Sequence, residues 1–352
     1  MNEGDIAELD PAATSVPRAT ETARATMPPL TPVVGIQDWI RIYFAEPLAA
    51  NADSYRGGPD AALAAAIVAA EVSVDAALHD LNLWSVRDAL LDADRRGVSV
   101  RLVMESDNLD GRAEMRELVE AGIAFVEDAS EGRMHNKFVV IDGVELWTGS
   151  MNFTTTGGYR NRNNLLRIES EALAAQYTAE FEEMFLAGTF GEDSPEGNAF
   201  LTTVLGHSVE VYFSPDDSTL DRLLELVNGA DSSIYFMAFS FTQDELAEAL
   251  LAAAARGVEV RGIFEDSQVA SNTGGEFAYL QDSGLDVRGD GQPGSMHHKA
   301  FIIDQRIVVA GSYNFSRNAE ERNDENTLII ASHAMVEAFT AEFFELWVLA
   351  GP

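Results

Sequence analysis

Apolar and polar positions along this chain follow two rhythms, and both halves use them in the same order. Val72–Leu78, Val98–Met104, Ile234–Phe239 and Val258–Phe264 are short runs rich in β-branched and aromatic residues, which predicts strands. In Trp84–Arg96 and Gln243–Arg256 the apolar residues return every three or four positions, the spacing that gathers them on one helix face. Phe138–Ile141 and Val144–Thr148 flank Asp142-Gly143, a pair that favours the left-handed conformations of a tight hairpin. Each half reads strand, helix, strand, helix, strand, helix, strand, strand, helix. Such alternation predicts an α/β layered fold with a mixed sheet in each half.

The halves also match residue by residue. Ile40-Arg-Ile-Tyr-Phe44 corresponds to Val209-Glu-Val-Tyr-Phe213, Arg96-Gly-Val98 to Arg256-Gly-Val258, and Glu180-Phe-Glu-Glu-Met-Phe185 to Glu342-Phe-Phe-Glu-Leu-Trp347. The expected organisation is a first half over 37–187, a linker over 188–206 carrying Gly191, Pro195 and Gly197, and a second half over 207–352. Residues 1–36, rich in Ala, Thr and Pro, are expected to be a disordered tail.

The strongest correspondence carries chemistry. His135-Asn-Lys137-x4-Asp142-x6-Gly149-Ser150-x-Asn152 recurs as His297-His-Lys299-x4-Asp304-x6-Gly311-Ser312-x-Asn314. Lys137 and Lys299 are the only lysines in the chain. Strand alternation points His135 and Lys137 the same way. If residue 141 pairs with 144, Ser150 falls opposite His135 and Asn152 shares its face. Each hairpin would then gather an imidazole, an ammonium and two neutral donors at its open end. Asp142 and Asp304 would sit at the turns, away from the chemistry. One such set can hold a phosphate. Two sets facing each other place imidazoles on opposite sides of it, one to attack phosphorus and one to protonate the departing oxygen. Lysine and Asn/Ser groups would stabilise charge on the other oxygens. This scheme requires no cofactor or metal.

Composition narrows the picture. There is no cysteine, which excludes a thiolate nucleophile and cysteine-ligated metal. The net charge of −35 repels polyanions at long range, and no Lys/Arg run offers a nucleic-acid footprint. No apolar run reaches the roughly 18 residues of a membrane span, and no export signal is recognisable. The expectation is a chain working in water, cytoplasmic as written, or secreted or tethered had an export signal been removed.

The duplicated pattern resembles the phospholipase D superfamily, whose signature H-x-K-x4-D-x6-G-S-x-N both copies match without departure. The resemblance covers about residues 38–350. It implies two tandem α/β/α lobes related by a pseudo-two-fold, an internal dimer within a monomer, with one active site between them. It also implies a metal-independent phosphodiesterase working through a covalent phosphohistidine. Carried over, His135 is the nucleophile and His297 the general acid and then base, with Lys137, Asn152, Lys299 and Asn314 completing the catalytic set. Many members carry a carboxylate downstream of a motif histidine. Here Glu325 holds that place after His297, expected beside it, while Asn163 holds the equivalent place after His135. Ser150, Ser312 and Asn163 are expected to contact substrate. His298 is read as structural; His79, at a strand end, as a buried residue or a substrate contact. The expected substrate is a phosphatidylcholine-like phospholipid. The alternatives are an endonuclease of the same superfamily acting on nucleic acid, a phospholipid synthase, or an inactive phosphate-binding module.

Overall fold

A computed structural model describes residues 34–37, 39–50, 52–109, 111–128, 130–195, 197 and 199–351. The expected tail lies outside the described residues up to 33, and its last residues enter a strand. The first sheet contains β1 (Val34–Gln37), β2 (Ile40–Phe44), β3 (Ser73–Leu78), β4 (Ser99–Glu105), β5 (Ala124–Asp128), β6 (Lys137–Ile141), β7 (Glu145–Gly149) and β8 (Asn164–Glu169). The second contains β9 (Phe200–Val204), β10 (His207–Ser214), β11 (Ser233–Ala238), β12 (Glu259–Phe264), β13 (Asp286–Gly289), β14 (Lys299–Ile303), β15 (Ile307–Gly311) and β16 (Glu325–Ile330). Strand orders are β1-β2-β8-β7-β6-β3-β4-β5 and β13-β12-β11-β14-β15-β16-β10-β9, the same plan listed from opposite edges. In each sheet three strands run parallel through helical crossovers and the rest pair antiparallel, giving the mixed α/β sheet anticipated from the pattern. Part of the segment expected to be a linker is β9, which pairs with β10 at the edge of the second sheet.

Continuous apolar stretches become strands covered on both faces. Phe138-Val-Val-Ile141 in β6 is buried throughout. One face packs under outer helices such as Trp84–Arg96, which ends where Gly97 adopts φ 89°. The other face joins a central core shared by both sheets. Helix Glu171–Glu182 packs there on β3, β6 and β7, and helix His333–Leu349 on β11, β14 and β15. Phe138, Tyr177, Phe181, Ile302, Phe339 and Phe343 all belong to this layer. The two lobes therefore share apolar core, which fixes the relation of one motif to the other.

Backbone pairing between the lobes adds directional contacts. His135 N donates to Asp324 O (3.0 Å) and Asp324 N to Arg133 O (2.9 Å); His297 N donates to Arg162 O (2.8 Å) and Arg162 N to Ser295 O (2.9 Å). Each motif histidine is thus tied to the chain that leads into β8 or β16 of the opposite lobe.

Candidate active site

The motif hairpins differ from expectation by one residue. Ile141 pairs with Glu145, and Ile303 with Ile307. Asp142 and Gly143 both take positive φ, but Val144 also belongs to the turn, so the loop has three residues where two were expected. That shift removes Ser150 from the position opposite His135. The turn aspartates do not bond within their own turns either. Asp142 accepts N–H groups from Glu71, Val72 and Ser73 at 2.7–3.2 Å, and Asp304 does the same for Asp231, Ser232 and Ser233. Each fastens its hairpin to the start of the neighbouring strand, β3 or β11, which runs antiparallel to it.

At the open ends, the motif glycines permit a close crossing. A Cβ on Gly149 would lie 2.4 Å from Asn164 O, and one on Gly311 2.1 Å from Asn326 O. This brings Ser150 and Ser312 onto the first residues of β8 and β16. Ser150 Oγ donates to Asn163 Oδ1 (2.9 Å) and accepts from Asn164 N (3.0 Å). Ser312 Oγ accepts from Asn326 N (3.0 Å) and bonds the Glu325 carboxylate. Both serines are fully buried. Expected on the substrate, the serines hydrogen-bond Asn163 and Glu325, and Asn163, expected there too, bonds His297.

Those orienting residues cross between lobes. Glu325 Oε2 lies 2.7 Å from His135 Nδ1, not beside His297 as expected. His297 Nδ1 instead donates to Asn163 Oδ1 (2.9 Å) and the Ser150 carbonyl (3.1 Å). The inter-lobe backbone bridges explain the exchange: the strand after each motif histidine begins against the other lobe's histidine. Asn163 Nδ2 donates to Gly157 O (2.9 Å), which turns the amide oxygen toward His297. In both histidines Nδ1 faces acceptors, so each neutral ring carries its proton there and presents a lone pair at Nε2.

The lysines are fully buried and donate to the carbonyls two residues back, Lys137 to His135 O and Lys299 to His297 O (2.9 Å). Lys299 also lies 4.6 Å over the Phe239 ring. Burial, then the Lys137 and Lys299 charges, hold His135 well below the usual imidazole range; burial and the same two lysines do so for His297. The inter-lobe contacts of His135 with Glu325 and of His297 with Asn163 and Ser150 bring the two motifs to one site. Burial brings Lys137 down to about 7, against the opposing pull of Glu325, and burial with the Lys137 charge holds Lys299 well below the usual ammonium range. Burial likewise pushes Glu325 up to about 7. Asn152 and Asn314 have carboxamide oxygens that are buried without a hydrogen-bond partner among the described residues. Exchanging amide oxygen and nitrogen keeps the shape and turns N–H donors to that face. A cationic slot with spare amide groups is complementary to a bound phosphate.

His298 lies away from this slot, buried between Asn164 and Glu342, as expected. Two features had escaped the sequence reading. Met134, just before His135, has its N–H bound by Glu105 and Asp128, each at 2.9 Å; the visible signal was an acidic residue closing an apolar strand. Asp290 serves Met296 likewise (2.9 Å). A polar cleft of about 540 Å³ opens from His135 and Asn314 past Phe239, Gln268 and Asn272, with Arg133 and Arg322 in its walls.

The family model for "Cardiolipin synthase, PLD-like domain" matches twice, over residues 63–185 and 223–347. The chain belongs to the phospholipase D superfamily. Human mitochondrial cardiolipin hydrolase is 35% identical over 136 residues, 39% of this chain and 54% of that protein. A protein named phospholipase D from Rickettsia prowazekii is 29% identical over 165 residues, 47% of this chain and 80% of that one. The chain spans about half the length of the human relative. Phosphatidylserine synthase from Haemophilus influenzae, a solved structure, shares the fold across 90% of this chain and 88% of its own, at 15% identity and a TM-score of 0.64. Both phospholipase D-like lobes of this superfamily member are thus present in one chain.

Proposed function

We propose that this phospholipase D superfamily member is a phosphodiesterase that hydrolyses phospholipid head-group esters through a phosphohistidine. The observation that carries the reading is the crossed, unequal pairing of the two motif histidines, Glu325 on His135 and Asn163 on His297. In the first step His135 Nε2 attacks phosphorus; the P–N bond forms, the P–O bond to the head group breaks, and His297 gives its Nε2 proton to the departing oxygen. His135 then carries positive charge, which the Glu325 carboxylate balances. His297 has only neutral acceptors, so its imidazolium releases a proton more readily, as an acid must. Substrate phosphate supplies the negative charge that lets His297 hold that proton beforehand. In the second step water loses a proton to His297 and attacks phosphorus, and the P–N bond breaks. Lys137, Lys299 and the Asn152 and Asn314 amides neutralise the phosphoryl oxygens throughout.

The names of the relatives support a lipid ester as substrate. A nuclease reading draws support from the polar cleft, where Phe239 offers a flat face beside Arg133 and Arg322. The test is a parallel assay on phosphatidylcholine vesicles and single-stranded DNA in EDTA. Release of free head group, with none from His135→Ala, supports the proposal. Cleavage of DNA alone overturns the lipid assignment. Strict dependence on added metal overturns the mechanism. With a ³²P-phosphodiester, label should stay on the wild-type protein in a burst quenched in alkaline detergent, where a P–N bond survives, and be missing from His135→Ala.

A further inference from the structure

Each motif histidine stands at the end of a buried hydrogen-bond chain, and the two chains differ in one link. The residue between the motif histidine and lysine is Asn136 in one lobe and His298 in the other. Both are fully buried, and each reaches a glutamate at the same place on a central helix, Glu180 or Glu342. The direction of the second chain can be followed from Glu342 to the site. The Glu342 carboxylate, paired with Arg162 at 3.5 Å, only accepts, so His298 Nε2 carries the ring proton and donates to it (3.1 Å). His298 Nδ1 is left with a lone pair, and Asn164 turns its amide nitrogen to it (3.0 Å). The second N–H of that amide goes to Ser150 Oγ (3.2 Å), which also accepts from Asn164 N (3.0 Å). With both lone pairs taken, the Ser150 hydroxyl gives its proton to Asn163 Oδ1 (2.9 Å). That oxygen is the one that accepts from His297 Nδ1.

Direction matters at the end of the chain. His297 can give a proton from Nε2 and stay neutral only while Nδ1 faces an acceptor. Its contact with the Ser150 carbonyl is fixed by backbone, but an amide such as Asn163 can present either end. Gly157 O holds the nitrogen end of Asn163, and the Ser150 hydroxyl proton holds the oxygen end. Burial, against the pull of Glu342, holds His298 below the usual imidazole range, which preserves the Nδ1 lone pair on which the chain depends. The other lobe repeats the arrangement with an amide. Asn136 donates to Glu180 (3.3 Å) and accepts from Asn326 (2.7 Å), whose N–H binds Ser312, and Ser312 bonds the Glu325 carboxylate on His135. An imidazole and a carboxamide fill the same link, so their common element is an acceptor facing the asparagine of β8 or β16.

We propose that His298 is a positioning residue for His297, setting with Glu342 the hydrogen-bond direction that keeps an acceptor on His297 Nδ1. The inference rests on the reading of His297 as the general acid of a phosphodiesterase, and extends it to a residue that touches neither substrate nor His297.

The test uses the full chain with methyl phenyl phosphate and methyl p-nitrophenyl phosphate, which leave the same group on phosphorus. Nitrophenolate is the weaker base and departs with less help from an acid, so the ratio of the two kcat/KM values reads proton donation. His298→Gln places an amide at the Nε2 position, keeping a donor for Glu342 and leaving Asn164 without its acceptor. It should lose about tenfold more kcat/KM on the phenyl ester than on the nitrophenyl ester, the worth of one hydrogen bond. His298→Asn, the link of the other lobe, restores an acceptor at the Nδ1 position and should bring that difference back to within about threefold. Packing alone gives the opposite order, since asparagine is the smaller replacement. Ser150→Ala deletes one oxygen from the same chain and should show the same leaving-group dependence, with little further loss when His298→Gln is added. Equal losses on the two esters in His298→Gln, a larger difference between them in His298→Asn, or losses that add in the double variant would each overturn the proposal. Ser150→Ala decides alone if the His298 variants do not fold, and equal losses there overturn the chain. Failure of wild type to cleave either diester overturns the phosphodiesterase reading, and this inference with it.

Discussion

The two motif imidazoles differ by one functional group on the residues that hold them, and that difference can be exchanged. Glu325→Gln leaves a neutral acceptor at 2.7 Å from His135 and removes the charge that balances a phosphohistidine. Turnover should fall by on the order of 10²–10⁴ with little change in KM, read by steady-state kinetics. Asn163→Asp places a carboxylate on His297 and should raise its proton affinity by about one pKa unit or more, moving the alkaline limb of the kcat profile, set by loss of the proton that His297 donates, to higher pH. The lysines give a second pH effect. Burial lowers Lys137 to about 7, so between about 7 and its ordinary value the unfolded chain binds more protons, and stability from this group rises with pH across that window. An anion in the slot needs the ammonium form. Above pH 7 binding must take up that proton, weakening affinity by up to about tenfold per pH unit. Sulfate, whose charge is constant here, should raise Tm more at pH 6 than at pH 9, and Lys137→Met should reduce the difference. Equal shifts at both pH values would show that Lys137 takes no part in anion binding. At this scale the family resemblance pointed to Glu325 as the carboxylate of a motif histidine and to Asn163 as its positional equivalent, expected on the substrate. It put Glu325 beside His297 where it lies on His135, because position along one lobe carries no record of the crossing between lobes.

Among the elements, the segments before each motif histidine decide whether the crossed pairs form. Gly132 and Gly294 occupy equivalent places there, and a Cβ on either would lie 2.0 Å from a carbonyl of the opposite lobe, Arg322 O or Arg160 O. Gly132→Ala therefore forces Arg133–His135 away from Asp324, the residue whose backbone positions Glu325. The expected cost is about 1–3 kcal/mol in denaturant unfolding, with a larger proportional loss of kcat than of binding, since the His135–Glu325 contact is stretched. Gly132 is not among the glycines of positive φ, so its substitution tests inter-lobe crowding without that strain. An unchanged kcat in Gly132→Ala would show that the bridge does not set the dyad. The hydrophobic rhythm had located helix Trp84–Arg96 and the principal strands closely, because those segments bury one stripe or one whole run. It placed the hairpin pairing one residue off, because Asp142-Gly143 signals a tight turn without counting Val144 into it. It also passed over β9, a half-exposed edge strand with no strong apolar signature inside a glycine-bearing stretch.

For the whole molecule, the repeat read from sequence accounts for two sheets of one plan, and the shared core explains why neither lobe forms a site alone. Charge works on a longer range than this packing. The chain carries −35, yet both of its lysines are buried in one slot, with Arg133 and Arg322 in the walls of the cleft that leads there. An anionic substrate is thus repelled by the body of the protein and attracted only within a few ångströms of the slot. Salt separates these effects by distance. The screening length falls from about 10 Å at 0.1 M to about 3 Å at 1 M, which removes the far repulsion while buried Lys137 and Lys299 remain little screened. Raising NaCl across that range should increase kcat/KM on phosphatidylglycerol vesicles severalfold and change it little on phosphatidylcholine vesicles, which carry no net charge. The ratio of the two rates, measured on vesicles of matched size, isolates the electrostatic part from any general effect of salt on the enzyme. A fall in the phosphatidylglycerol rate with salt would mean that a cationic face governs encounter and that the acidic body lies away from the approach path.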